Sequence, residues 1–288
     1  MGLQEKVIGP AFQAATGARY QGEGRGSVAA AIAIRDRLRA PDVFISADPG
    51  LNETELMGPA NGDLVAWYLT FATTRMVIAY SPKTRFAPDL ERARAGHMPW
   101  YEVLSRPGFR FGRTDPNLDP KGYRILMATD LAERSSGLVG LRARLLGDAP
   151  NPAQIFPEEQ LPTLLEAGQL DAIAAYAVEA RARNLPWIEL PAAINLGDPG
   201  HSADYQTATF TQRDGAVRRG APILYAITIP RNAPNRDGGI AFIRFLLSPQ
   251  GRTLHREQGL DPAHVLAGGD TAAVPMALSD LVEGRYSP

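Results

Sequence analysis

The sequence predicts an α/β fold, and three observations carry that expectation. Short β-rich runs alternate with helical runs along all 288 residues, the order expected of helices layered on mostly parallel sheets. Hydrophobic side chains make up 44% of the chain, enough for one large or two smaller domains to bury their own cores. No repeat, low-complexity tract or clean linker interrupts the pattern. If there are two lobes, they are therefore joined by strands rather than by a tether.

The elements follow in order. The chain opens in a helix, 3–15, that ends near Gly17, and 18–21 reads as a short strand. A helix over 27–38 takes Ser27 as its N-cap, because a serine oxygen there can accept an unpaired N–H of the first turn. A buried strand over 42–46 precedes a short helix, 52–57, and a strand over 75–81 is stopped by Pro82. Helices are expected at 88–96 and 99–105, the second with Pro99 in its first turn. A strand over 109–114 leads into a loop rich in Pro and Gly. The pattern over 123–146 is helical with a break at Ser135-Ser136-Gly137. A helix over 157–167 closes at Gly168, followed by a strand over 171–176, a helix over 178–183 and a strand over 187–190. After a loop, 191–204, strands are read at 208–211 and 223–230, and helices at 237–247 and 249–259.

Composition removes several function classes. The chain has no cysteine, which excludes a disulfide framework, an iron–sulfur cluster, a thiolate nucleophile and a cysteine zinc site. The formal net charge of −1 argues against a nucleic-acid partner, which needs a clustered positive surface. The longest apolar runs, such as 28–34, are too short to cross a bilayer. His97, His201, His255 and His264 are scattered, so neither a histidine metal site nor a Ser-His-Asp triad is expected, and no Gly-x-Ser-x-Gly elbow occurs.

Five short segments could carry chemistry, and each also has an ordinary structural reading. Gly22-Glu23-Gly24-Arg25-Gly26-Ser27 leads into a helix, where exposed N–H groups and the dipole favour an anion, although it matches neither a Rossmann nor a Walker pattern. Ile45-Ser46-Ala47-Asp48-Pro49-Gly50 ends a strand where ligands of α/β sheets gather, but it is also a common turn. The run Thr114-Asp115-Pro116-Asn117-Leu118-Asp119-Pro120-Lys121-Gly122-Tyr123-Arg124 sets two carboxylates in a proline-stiffened loop, where they could serve as acid and base or simply cap a helix. Glu158 is read at a helix start, where a carboxylate suits the dipole in any case. Tyr176 ends a strand with Glu179 in the following turn, able to meet a ligand or to sit at the core edge. All five offer N–H groups, hydroxyls and a few carboxylates at strand-to-helix turns, the materials of a pocket for a small oxyanion.

Several longer stretches resemble one family. They are Phe71-Ala72-Thr73-Thr74-Arg75 running on to Ser81, Trp100-Tyr101-Glu102-Val103-Leu104-Ser105-Arg106-Pro107, and the Asp115-Pro116-Asn117-Leu118-Asp119-Pro120-Lys121-Gly122-Tyr123-Arg124 run. Agreement continues at Leu165-Glu166-Ala167-Gly168-Gln169-Leu170-Asp171 with Tyr176, at Trp187-Ile188-Glu189-Leu190-Pro191, and at Ser248-Pro249-Gln250-Gly251. Together they resemble the molybdate/tungstate-binding proteins of ABC importers, in the archaeal-type tungstate-binding branch, over nearly the whole chain.

The resemblance implies a two-lobed type II periplasmic-binding-protein fold, with mixed sheets flanked by helices and the anion in a cleft between the lobes. Lobe 1 would be 1–80 plus 220–288 and lobe 2 would be 81–219, with the hinge near 72–81 and 212–228. Asp119 and Glu158 match the two carboxylates that bond the tungsten or molybdenum of the oxyanion, Glu158 standing eighteen residues before Tyr176 as in relatives. Ser27, Ala47, Lys121 and Tyr176 match further oxyanion contacts, Ala47 and Lys121 through the backbone. Two carboxylates repel a dianion unless they bond its metal, which tungsten and molybdenum accept and sulfur and phosphorus do not. Lys121 departs from the small residue of relatives, which opens a second reading of the scaffold as retuned for sulfate, phosphate or a small acid.

The family further implies an extracytoplasmic, non-enzymatic, monomeric receptor. It would serve an ABC permease and its ATPase, need no cofactor, and close its lobes around the ligand. Relatives begin with a buried strand that has no counterpart before Met1, and the start carries no signal-peptide pattern. The expectation is that a longer protein supplies an export signal and that strand. A third reading, a hydrolase using Asp115, Asp119 and Glu158, has no nucleophile or base constellation to accompany it.

Overall fold

The computed structural model describes residues 3–287. They form two compact units, one from Met1–Thr74 with Ile223–Pro288 and the other from Arg75–Pro222.

The first unit is built on a sheet in the order Phe44–Ser46, Leu224–Thr228, Trp67–Thr73, Leu266–Gly269, Gly284–Arg285, with Asp261–Pro262 pairing the far end of Trp67–Thr73. Leu224–Thr228 runs antiparallel to both neighbours, setting Ser46 opposite Ala226 and Leu69 opposite Ile227. The register of Trp67–Thr73 shifts between Thr70 and Ala72. Phe71, bulged out of the ladder, gives its carbonyl to the Ala263 N–H at 3.0 Å. One core cluster gathers Ala31, Ile34, Phe44, Leu56, Leu64 and Val65.

The helix Arg236–Leu247 starts where the Asn235 side chain accepts the Gly238 N–H, and Ser248 caps Pro249–Glu257 through the Gly251 N–H. Phe242 and Phe245 of the first helix meet Phe12 edge-on at 5.3 and 5.7 Å, and Tyr20 stacks on Phe242 at 5.5 Å. That packing docks the helix Gly9–Thr16, which ends at Gly17 with φ +72°, the left-handed conformation glycine tolerates.

The second unit has a sheet in the order Phe111–Gly112, Ala172–Tyr176, Met76–Tyr80, Trp187–Glu189, and a separate hairpin of Thr209–Thr211 with Val217–Arg219. Every residue of Met76–Tyr80 and Ala172–Tyr176 is buried, so both strands read as unbroken apolar runs. Leu161, Leu165, Leu170 and Ile173 fill the core beside Val77 and Ala79.

Four local expectations are corrected. The sheets are mixed, as the family resemblance implied and not mostly parallel as the local pattern suggested: Phe111–Gly112 with Ala172–Tyr176 and Leu266–Gly269 with Gly284–Arg285 are parallel ladders, and the other ladders are antiparallel. Residues 18–21 pair with no strand and are spent packing Tyr20. Gly26, not Ser27, is the N-cap of Ser27–Arg35. The helix read over 157–167 spans only Leu161–Glu166, because Pro162 lacks an N–H and is accepted only in a first turn.

Candidate functional site

In the second unit the motif loop is fixed before the helix begins. The Asp115 carboxylate accepts the Asn117 N–H at 2.8 Å and its side-chain amide at 3.0 Å, while Asn117 Oδ1 accepts the Arg213 N–H at 2.9 Å. Asp119 then caps the helix Pro120–Ser136, its carboxylate accepting the Lys121 N–H at 2.7 Å. Pro120, with its fixed φ, suits the first turn. Gly122 is required by space, since a Cβ there would lie 2.7 Å from the Thr114 carbonyl and the Asp115–Pro116 peptide. The Asp-Pro-Lys-Gly run therefore presses a helix N-terminus against its own loop, with Asp119 at the tip.

A second segment brings Glu158 to that tip. Arg113 continues the strand Phe111–Gly112 as a parallel bridge to Ile155, donating its N–H to the Gln154 carbonyl at 2.8 Å and accepting the Phe156 N–H at 3.0 Å. Its fully buried guanidinium, which burial lowers to about 10, donates to the carbonyls of Asp148 and Ala149 at 2.9 and 2.8 Å. These bonds hold 148–156 against the sheet, and Glu158 stands in the turn that follows.

Tyr176 arrives from a third direction, ending Ala172–Tyr176 and opening the helix Ala177–Ala182. Its hydroxyl oxygen accepts from the Arg124 guanidinium at 2.8 Å, so the hydroxyl proton is left as a donor. Its backbone N–H donates to Glu179 Oε2 at 3.1 Å.

Lys121 joins these groups. Its Nζ lies 2.7 and 2.8 Å from the two oxygens of Glu179 and 3.2 Å from Glu158 Oε1, above the Tyr176 ring at 5.6 Å. Asp119, Lys121, Arg124 and Tyr176 are buried, whereas the Glu158 and Glu179 side chains keep 32% and 30% of their exposure. Water can therefore reach the two glutamates and not the ammonium.

The electrostatics follow from that placement. Burial, then the charge of Glu158, pushes Asp119 up to about 8 against the pull of Lys121. Glu158 is held below the usual carboxylate range, chiefly by the Lys121 charge. Burial alone would lower Lys121, but Glu179, Glu158 and Asp119 together hold it well above its ordinary value. Burial raises Glu179, opposed by Lys121 and the Tyr176 N–H, and burial raises Tyr176.

The second unit thus gathers Asp119, Lys121, Glu158 and Tyr176 in one place. The first unit brings Ser27 and Ala47 together, the Ala47 N–H donating to Ser27 Oγ at 3.1 Å. Sequence reasoning left Glu179 and Arg124 out of the candidate set. A Tyr-x-x-Glu spacing across a strand-to-helix turn, a variant of the capping box, was the available signal for Glu179.

A fold of this topology, with carboxylates and donors at strand-to-helix turns, can be compared with known proteins. Residues 5–261 match the bacterial extracellular solute-binding proteins. The chain belongs to that family.

Within it, an uncharacterized solute-binding protein of Petrotoga mobilis is 37% identical over 268 residues, covering 91% of this chain and 80% of that protein. The molybdate/tungstate-binding protein WtpA of Thermococcus kodakarensis is 33% identical over 289 residues, covering 93% and 78%. Among solved structures, the periplasmic molybdate-binding protein of Azotobacter vinelandii superposes with a TM-score of 0.59 at 15% identity, covering 90% of this chain and 93% of that one. The sulfate-binding protein SubI of Mycobacterium tuberculosis gives 0.57 at 14% identity, covering 99% and 89%. The fold is that of the type II periplasmic binding proteins. No helix among the described residues is long and apolar enough to cross a membrane.

Proposed function

We propose that this chain is the extracytoplasmic solute-binding component of an ABC importer for molybdate or tungstate, acting as a receptor without catalysis or cofactor. The observation that carries the reading is the pair of carboxylates, Asp119 and Glu158, beside the N-terminus of Pro120–Ser136. A helix N-terminus attracts a dianion, and two carboxylates repel it. Two ionised carboxylates become favourable when their oxygens bond the central atom, which molybdenum and tungsten allow.

The Tyr176 hydroxyl would donate to an oxo group, as would the Lys121 N–H once it leaves Asp119. From the first unit, the Ser27 hydroxyl and the Ala47 N–H are the proposed further contacts. Kinship with proteins named molybdate/tungstate-binding supports the reading. A permease with its ATPase is the proposed partner, and the receptor is proposed to be monomeric.

Titration calorimetry with tungstate, molybdate, sulfate and phosphate tests it. The expected outcome is tight binding of the first two, lost in Asp119→Ala and Glu158→Ala, with no turnover of any substrate. Sulfate bound as tightly as tungstate would refute the carboxylate argument and favour the retuned scaffold with Lys121 as its cause.

A further inference from the structure

Lys121 poses a physical problem that the oxyanion reading leaves open. A cation in the first turn of a helix opposes the macrodipole, and this one is 3% exposed. Its ammonium also holds Glu158, one of the two carboxylates required for the ligand. A lysine free to follow Glu158 would neutralise it and leave a positive charge at the site, which attracts any dianion regardless of its central atom.

Glu179 answers both difficulties. Its two oxygens lie 2.7 and 2.8 Å from Lys121 Nζ, closer than Glu158 at 3.2 Å. It is itself anchored: Oε2 takes the Tyr176 N–H, and the residue stands in the first turn of Ala177–Ala182, where a negative charge suits the dipole. Glu158 stands instead in a turn outside regular structure. Of the two carboxylates on the ammonium, one is built into a helix start, and the other stands in a turn and is held there by side chains of the cluster, Asp119 and Glu179 as well as Lys121.

We infer that Glu179 is a positioning residue: it retains the Lys121 ammonium so that Glu158 can leave it for the central atom of the oxyanion. The role rests on the reading that Asp119 and Glu158 meet the ligand. Glu179 touches no ligand and acts through Lys121. It converts a lysine that would relax selectivity into one half of a fixed ion pair.

The test compares the wild type, Glu179→Gln, Lys121→Met and the double variant, each titrated with molybdate and sulfate and each melted without ligand. Glu179→Gln is expected to cut the preference for molybdate over sulfate by about tenfold or more, because Lys121 then claims Glu158. Adding Lys121→Met to it is expected to restore the wild-type preference to within about threefold, since no ammonium remains to be retained. The double variant is also expected to melt above Glu179→Gln, whose ammonium has lost its nearer partner. A preference unchanged in Glu179→Gln overturns the inference, as does a double variant no more selective than Glu179→Gln. Failure of the underlying reading is distinguishable, because it shows in the wild type itself, as no binding of molybdate or as sulfate bound equally tightly, whereas failure of this role shows only in variants of a protein that prefers molybdate.

Discussion

Two buried sites, one in each unit, treat their titratable groups in opposite ways. The first holds His255, 2% exposed, tilted against Phe71 at 5.6 Å and touching Gln4 at 3.2 Å. Burial lowers it to about 4, so it stays neutral, and among the described residues no carboxylate charge compensates it. The second sets Glu158 and Glu179 on the Lys121 ammonium, with Asp119 on the Lys121 backbone N–H. A neutral buried imidazole is compatible with a place in the interior that only has to pack. A buried ammonium ringed by three carboxyls is an expensive way to stabilise a fold, because well-packed apolar groups do as well or better. Its cost makes sense where binding needs it.

The contrast has a pH signature. His255 has a folded value below its unfolded one, so between about 6.5 and about 4 the unfolded chain takes up a proton that the folded chain refuses, and stability falls with acidification. Asp119 is the reverse case. Between 3.8 and about 8 the folded chain keeps a proton that the unfolded chain has released, and the contribution is lost as pH rises through about 8.

Three substitutions can break or sharpen the comparison. The largest effect is expected from Lys121→Met, which leaves carboxylates without their cation and costs about 3 kcal/mol at pH 8. The loss should shrink by pH 5, where the carboxyls can protonate, and equal denaturant midpoints for variant and wild type at pH 8 would contradict a charge-held second unit. Asp119→Asn is next. It keeps an oxygen to cap the Lys121 N–H but removes the charge, so the ligand-free protein should gain on the order of 1 kcal/mol at pH 8, and little at pH 5, while losing molybdate affinity. A variant that melts below wild type at pH 8 would show that ionised Asp119 stabilises the fold. The smallest effect is expected from His255→Leu, which should flatten the loss of stability between pH 6.5 and 4; an unchanged acid limb in thermal melts would remove His255 from the comparison.

Much of this architecture was legible from local pattern, and what was missed has identifiable physics. Gly137, with φ +70°, separates Pro120–Ser136 from Leu141–Leu146 where the Ser-Ser-Gly break was read. The strand Trp67–Thr73 was not read at all. It is apolar on both faces and lacks period-two alternation, and only Thr74 and Arg75 part it from Met76–Tyr80. Strand direction was misjudged because pairing of Leu224–Thr228 with residues more than 150 positions earlier is a tertiary choice, invisible to local pattern. At the site, the carboxylates stood out through family spacing. The partner of Lys121 did not, since Glu179 is 58 residues away and only folding brings it within 2.7 Å.

Chain connectivity sets an order of assembly. Everything the second unit requires lies in one uninterrupted stretch, so it can condense without waiting for the chain beyond residue 222. The first unit has to wait. Leu224–Thr228 must slot between Phe44–Ser46 and Trp67–Thr73, strands lying roughly 150 to 180 residues earlier in the chain. Until then, two apolar strands present unpaired edges to any neighbouring chain. The unit without the lysine–carboxyl cluster is therefore the one most exposed to misassembly as the chain folds.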